Sequence, residues 1–390
     1  MTRKDATYVL DSRELDIRSN FRRWLLKNLP TPPERRNWFA DDLDTRYAAW
    51  RSWQKKLYDN GWMGLSWPLE YGGKQLSLTA DFIIGDELAR HRAPYSGNWI
   101  SLAAIAQALL NFGTPEQCRR HLARIACGDE SWCLGVTEPQ SGSNVMETQT
   151  FAELVGSEFV INGKKIWTTH SPRADYCLLL VKTDRHRSPE WSLTKLIVDL
   201  RLPGVQVKPL RQLHGDENYG EVTFTNVRVP KSAIVGALNG GWIVQATTWL
   251  QESVPPFDVP HRLGLRSVAQ DVRGLSKSKL IQEEQLIAET LMDGEAVRLL
   301  SYRALKLMAG RSRKALPAAA PLVKIAFTET SQKITTLGLK LSSSESQVAW
   351  ANRPDSWLHR HISARSNTIA RAPSEIHRNF LARHYLELPR

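Results

Sequence analysis

At 390 residues the chain can bury a large core and divide into two or three folding units. No run approaches 18 consecutive apolar residues, and Met1–Asp5 leads into a charged segment rather than an apolar export signal, so a soluble, cytoplasmic protein without membrane association is expected. The net charge of +12 would admit a nucleic-acid partner, but the basic residues are interleaved with acids and the densest cluster, Arg311–Lys314, is short. A solvated surface, or attraction of an anionic small substrate, fits that scatter better, and no nucleic acid is expected.

The opening segment reads as helical. Asp11 and Glu14 have capping-box spacing, Ile17, Phe21, Trp24 and Leu25 then share one helical face, and Leu29-Pro30-Thr31-Pro32-Pro33 stops the helix. Gly61–Gly73 is broken by glycines and a proline into a loop, and helical patterning resumes from about Thr79 through Leu102–Leu110. Between about Trp132 and Val229 the period changes to that of strands. Phe159–Trp167 predicts a hairpin with its turn at Asn162-Gly163, and Tyr176–Val181, Leu196–Leu200 and Glu221–Val229 supply further strands. After Gly240-Gly241 the chain returns to helix. Leu280, Ile287, Leu291 and Leu305 are placed on one face, Phe327, Ile334 and Leu341 repeat at heptad spacing, and Pro317 and Pro321 mark the connection between these two long helices. A last helix is expected over about Ser374–Leu386. Fourteen tryptophans favour large, rigid packing interfaces. The four cysteines (Cys118, Cys127, Cys133, Cys177) have neither CxxC pairing nor histidines at ligand spacing, so free buried thiols are expected and a metal site is not.

Two stretches carry the chemistry. Gly135–Asn144 (GVTEPQSGSN) is a small-residue loop rich in backbone N–H groups and hydroxyls, and Asn162–Thr169 (NGKKIWTT) brings an aromatic and two threonines from a neighbouring strand. Such a set suits the edge and face of a flat polar ring, although a β-turn beside a core tryptophan would satisfy the same residues. With the Gly61–Gly73 loop, Phe224–Pro230, Gly241-Trp242 and Ser374–Arg383, these stretches resemble, in order and over nearly the whole chain, the acyl-CoA dehydrogenase family. The resemblance implies an α+β multidomain fold: an N-terminal helical domain (1–127), a middle β-barrel-like domain (128–236) and a C-terminal four-helix bundle (237–390). It implies FAD as cofactor, an acyl-CoA or acyl-carrier substrate, a homo- or hetero-oligomer, and removal of an α-proton by a glutamate as a β-hydride goes to the flavin.

Residue by residue, the resemblance places Leu134, Thr137, Ser143, Trp167, Thr168, Thr169 and Glu375 at the cofactor, with Ser143 also near the thioester arm; Asn144 replaces the usual aspartate. Where many members carry the base near the C-terminus, this chain has Arg371, which cannot act as one. Other members carry the glutamate on the first bundle helix, and the matching residue is Glu252, followed by Ser253 where those members have arginine. Glu252 is therefore the expected catalytic base, against the plainer reading of a solvated helix glutamate. Arg371 either recognises an anionic group on the substrate, pairs with Glu252, or blocks a vestigial pocket. Further departures are Ala372-Pro373 in place of Gly-Thr, the absence of Arg-x-x-Phe in Leu275–Leu280, and Leu341–Ser346 where a glycine pair is expected. They keep two alternatives open: a non-catalytic partner subunit of a mixed tetramer, and a divergent oxidase or N-hydroxylase of the same fold.

Overall fold

The computed structural model describes residues 10–252, 259–309, 316–342 and 356–389, with the side chains of 250–252, 259–263, 309 and 316–318 outside that description. Helix α1 (Ser12–Asn28) starts at the expected capping box: Glu14 N–H donates to Asp11 Oδ1 (2.9 Å) and Asp11 N–H to Glu14 Oε2 (3.1 Å). Phe21 and Leu25 are fully buried on its inner face, and it ends before Pro30. A short turn, α2 (Pro32–Arg35), leads to α3 (Leu43–Asp59) and α4 (Leu78–Arg90). A π-helical turn at Ser101–Ile105 opens into α5 (Ala106–Phe112), followed by α6 (Pro115–Cys127). Much of the predicted tryptophan packing lies here, where Trp38, Trp53, Trp62 and Trp24 join Phe21 in one apolar cluster. All four cysteines are buried free thiols.

Eight strands form the middle layer: β1 (Trp132–Gly135), β2 (Phe151–Val155), β3 (Glu158–Thr169), β4 (Tyr176–Lys182), β5 (Leu193–Asp199), β6 (Val205–Leu210), β7 (Tyr219–Pro230) and β8 (Ile234–Val235). The path runs β6-β7-β3-β2-β4-β5-β8, with β1 pairing parallel to β4. One expectation is corrected. Asn162-Gly163 is not a hairpin turn; β3 runs through it, and the chain reverses at Gly156-Ser157, where Gly156 takes φ +64°. Asn162-Gly163 is instead an irregularity in the β3–β7 register. A Cβ on Gly163 would come within 2.6 Å of the Thr150 backbone, so close approach of the β2 entry, rather than a tight turn, requires the glycine.

The C-terminal layer comprises α7 (Gly241–Glu252), α8 (Val259–Asp271), α9 (Lys277–Ala309), α10 (Leu316–Leu341), α11 (Trp357–Ala364) and α12 (Ser374–His384). Val268, Ile287, Ile334, Leu337 and Leu341 fill its core. Pro317 and Pro321 lie within the first turns of α10 rather than in the connection before it. Pro317, at the second position, removes an N–H that has no intrahelical partner, whereas Pro321 lies inside the helix and gives up one backbone bond to the turn before it. On α9, Ile287 and Leu305 are buried but Leu280 and Leu291 are each 38% exposed, so the expected single face is only partly covered. Glu14 of α1 ties the N-terminal layer to the C-terminal one by accepting from Lys306 (2.7 Å) and Tyr302 (3.1 Å) of α9, and within the N-terminal layer Arg18 and Arg22 both reach Glu87 of α4 at 2.7 Å. No helix among the described residues is long and apolar enough to cross a membrane.

Candidate active site

The loop after β1 is held from beneath by a buried ion pair. Lys165 Nζ of β3 donates to Glu138 Oε1 at 2.7 Å and to the Val136 carbonyl at 3.0 Å, with both charged side chains essentially inaccessible. The same carboxylate accepts the Gln149 and Thr150 N–H groups (2.7 and 2.9 Å) and the Gln140 amide (2.6 Å). Burial opposes the charge on Glu138, but Lys165 overrides it and keeps the carboxyl below its ordinary range; burial draws the Lys165 ammonium down to about 8. Glu138 and Ser141 bridge backbone to backbone, and Ile166 N–H donates to the Thr137 carbonyl at 2.9 Å. Thr137 is thereby fixed beside Ile166–Thr168. Ser143 and Asn144 stand exposed on the outer side of the loop, while Leu134 is half-buried on β1 opposite Leu178.

At the end of β3 a register shift against β7 re-aims the next side chains. Trp167 takes φ +54° and leaves its indole 57% exposed, edge-on to Tyr219 at 6.3 Å. Thr168 turns inward, and its buried Oγ1 has no protein hydrogen-bond partner. Thr169 is half-buried and pairs with Tyr219 across the strands. His170, at φ +63°, packs edge-on against Tyr47 of α3, and its Nδ1 bonds the Tyr47 hydroxyl. Burial, then the Arg173 charge, depress the His170 imidazole to about 4, so it stays neutral; burial raises the Tyr47 phenol.

Helix α7 presents Val244, Gln245 and Thr248 inward, and Trp242 and Trp249 pack with Val136, Val145 and Met146 around the loop. Both amide atoms of Gln245 are buried without a hydrogen-bond partner. Glu252 closes this helix, four residues after Thr248 and seven after Gln245. Its side chain lies outside the described residues, as does Ser253. Arg371 and Ala372 take φ +59° and +70°, and the Arg371 guanidinium lies over the Trp99 ring at 5.7 Å, just before the π-helical turn on which α7 packs. His377 Nε2 donates to the Arg371 carbonyl at 2.9 Å. Behind the loop, buried Lys324 donates to the Asn367 carbonyl at 3.0 Å, and burial together with the nearby Arg371 charge pulls it down to about 8. Glu375 is exposed in the first turn of α12. The structure thus joins Thr137 to Ile166–Thr168 and Arg371 to Trp99.

Two features escaped the sequence reading. The Glu138–Lys165 pair joins residues 27 apart, and Lys165 looked like one of two interchangeable lysines; only the alternation along β3, Lys164 out and Lys165 in, could have singled it out. The second is a cluster of His214, Asp216 and His359, whose ligand-type atoms lie within 4.8 Å of one another. Burial works against the Asp216 charge, yet His359 and Arg46 hold its carboxyl at about 2. No spacing rule links residues 143 positions apart.

Comparison with known proteins decides the lineage. Three family models match in chain order: the acyl-CoA dehydrogenase N-terminal domain over residues 11–129, the middle domain over 133–227 and the C-terminal domain over 265–386. The chain belongs to the acyl-CoA dehydrogenase family. It is therefore of an oxidoreductase family whose members are FAD flavoproteins. Among acyl-CoA dehydrogenases it is 29% identical to IpdE1 of Mycobacterium tuberculosis over 375 residues, covering 91% of this chain and 96% of that protein. It is 28% identical to IpdE1 of Mycolicibacterium smegmatis over 396 residues, covering 92% and 97%. A solved structure, the Tcur3481-Tcur3483 steroid ACAD, superposes with a TM-score of 0.82 at 26% identity, covering 98% of this chain and 99% of that one. The N-terminal helical, middle β and C-terminal helical layers are those of this family.

Proposed function

We propose that this chain catalyses FAD-dependent α,β-dehydrogenation of an acyl thioester, with Glu252 as the α-proton base. The observation that carries the reading is the pairing of an unpartnered, buried Thr168 Oγ1 and an exposed Trp167 wall with a helix that presents Gln245 and Thr248 inward and ends at position 252. Buried polar atoms are normally satisfied, so an orphaned hydroxyl beside an open aromatic fits a ring-shaped polar ligand. On that fit, Leu134, Thr137, Ser143, Trp167, Thr168, Thr169 and Glu375 would hold FAD, Ser143 would also meet the thioester arm, and FAD would supply the hydride acceptor at N5.

The chain's own residues have two tasks. Glu252 must take a proton from a weak carbon acid, which requires a desolvated carboxylate and a polarised thioester carbonyl. The Arg371 backbone N–H would be one donor to that carbonyl, a role independent of its side chain. The guanidinium, held over Trp99, would recognise an anionic group of the substrate or pair with Glu252. The substrate is an acyl-CoA or an acyl group on a carrier; the positive surface suits either.

A second reading, a non-catalytic subunit in a mixed tetramer, is favoured by one observation: Ala372 is left-handed and Pro373 offers no N–H where the family holds FAD. The steroid ACAD it resembles is named for two chains, which makes an unlike partner a fitting proposal. The test is anaerobic flavin bleaching by acyl-CoA. Bleaching that falls at least about 100-fold in rate in Glu252→Gln supports the assignment. Normal bleaching in that variant removes Glu252 from the mechanism. A colourless chain that gains FAD only on mixing with another chain selects the second reading.

A further inference from the structure

The cluster of His214, Asp216 and His359 shares no residue with the candidate cofactor pocket, although Asn218 links Asp216 to Tyr47. His214 and Asp216 come from the connection between β6 and β7, and His359 from α11, so the cluster bridges the middle layer to the bundle. His359 Nε2 is 3.4 Å and His214 Nδ1 4.0 Å from Asp216 Oδ2, and the imidazole centroids are 4.5 Å apart. All three side chains are about nine-tenths buried, at 9%, 11% and 9% exposure.

We infer that these residues form a binding site for a divalent transition-metal ion, of the zinc class, that clips α11 to the middle layer. Three observations lead there. First, His359 Nε2 is buried and makes no hydrogen bond of acceptable geometry, although it faces the carboxylate. A buried ring nitrogen left in that state is costly unless something else is bound to it. Second, two imidazole nitrogens and one carboxylate oxygen within 4.8 Å are a donor set that suits zinc, copper or nickel; calcium and magnesium prefer all-oxygen cages. Zinc bonds of roughly 2.0–2.2 Å would need each ligand atom to move by only about half an ångström. Third, the carboxylate already has an outer shell. Arg46 Nη1 and Asn218 Nδ2 donate to Oδ2 at 3.2 and 3.1 Å, and no hydrogen bond among the described residues reaches Oδ1. Outer donors of this kind orient a ligating carboxylate, and Oδ2, the oxygen they hold, is the one that faces both imidazoles.

The competing account is a plain salt bridge from Asp216 to Arg46 with two packed histidines. It explains Arg46, and the guanidinium's positive charge works against a second cation. It also covers the Asp216 N–H that His214 Nδ1 accepts at 3.4 Å, but it leaves His359 Nε2 beside the carboxylate without a well-aligned hydrogen bond. The two pull in opposite directions on affinity, so micromolar rather than picomolar binding is expected. The consequence reaches the active site, because α11 runs through the 365–368 turn into Arg371.

The test uses the full chain, stripped with a chelator and then titrated with Zn2+ and separately with Co2+. One equivalent of Zn2+ per chain is expected, with a raised unfolding midpoint and a visible Co2+ spectrum of mixed nitrogen and oxygen ligation. His359→Gln and His214→Gln should each weaken binding at least about tenfold, comparable to losses on disturbing a metal's surroundings. Both histidines sit at the cluster's edge, so a fold disturbed by one substitution is checked by the other, and by circular dichroism of each. Binding unchanged in both folded variants, or less than a stoichiometric equivalent on the unaltered chain with no shift of the midpoint, overturns the proposal.

Discussion

The two rims of the candidate site are built on opposite principles. The middle-layer rim, Thr137–Asn144 with Ile166–Thr169, is pinned by a charge pair sealed from solvent and by backbone bridges. The bundle rim, Arg371–Pro373, has two non-glycine residues in left-handed backbone, a guanidinium on an aromatic face, and a second cation, Lys324, buried behind it. One rim is braced by buried bonds of its own; the other combines strained backbone with two neighbouring cations. The sharpest way to break this contrast is Lys165→Met. Removing one partner of a buried pair leaves Glu138 uncompensated, and a loss of about 3–5 kcal/mol is expected. Urea unfolding should show it, together with failure to retain flavin; an unchanged midpoint would mean the middle rim is not held by this pair.

His170 gives the next largest effect, and it depends on pH. Its folded pKa lies at about 4, below the ordinary 6.5, so the unfolded chain binds a proton that the folded chain refuses. Stability is complete above about pH 6.5 and is lost as pH falls from there towards 4, on the order of 3 kcal/mol in all. Asparagine tolerates the left-handed backbone at this position and cannot be protonated. His170→Asn should flatten that limb of the stability profile, measured as unfolding midpoint against pH. A limb that persists unchanged assigns acid sensitivity elsewhere.

Much of the architecture was legible because it is local. The Asp11–Glu14 cap, the stop at Pro30 and the shift to period two near Trp132 are each written in a few adjacent residues, and each appears where expected. The error at Asn162-Gly163 has a long-range cause: a strong turn signal was overridden by β7 pairing along β3 and by the close pass of Thr150. Pro321 misled for the related reason that a proline near a helix start resembles one between helices. In the candidate site, Thr137 and Ile166–Thr168 were singled out by motif, and the structure brings them side by side. What Thr168 faces, which lysine is buried, and how His359 meets Asp216 are properties of tertiary approach and leave no mark in spacing.

Trp167 and Ala372 sharpen the comparison at smaller scale. Trp167 is more than half exposed, so Trp167→Ala should leave unfolding within about 0.5 kcal/mol of the parent. Flavin affinity should nevertheless fall about tenfold, roughly 1.4 kcal/mol, in equilibrium titration. Affinity that does not change would remove the indole from the pocket wall.

Ala372 sets the smallest effect and the most direct comparison of the rims. At φ +70° its Cβ crowds the following carbonyl, a penalty of roughly 1–2 kcal/mol for an L-residue. Glycine escapes that penalty but gives back part of it through the greater freedom of the unfolded chain. Ala372→Gly should thus stabilise by about 0.5–1 kcal/mol, seen as a small rise in unfolding midpoint. The same change restores the residue type the family carries there, so flavin retention separates two meanings of the strain. A more stable protein with unaltered flavin binding marks strain kept for Arg371 alone, whereas a gain in both marks a cofactor contact that this chain gave up. A loss of stability would mean the backbone at 371–373 is not strained, and the contrast between the two rims would then rest on charge alone.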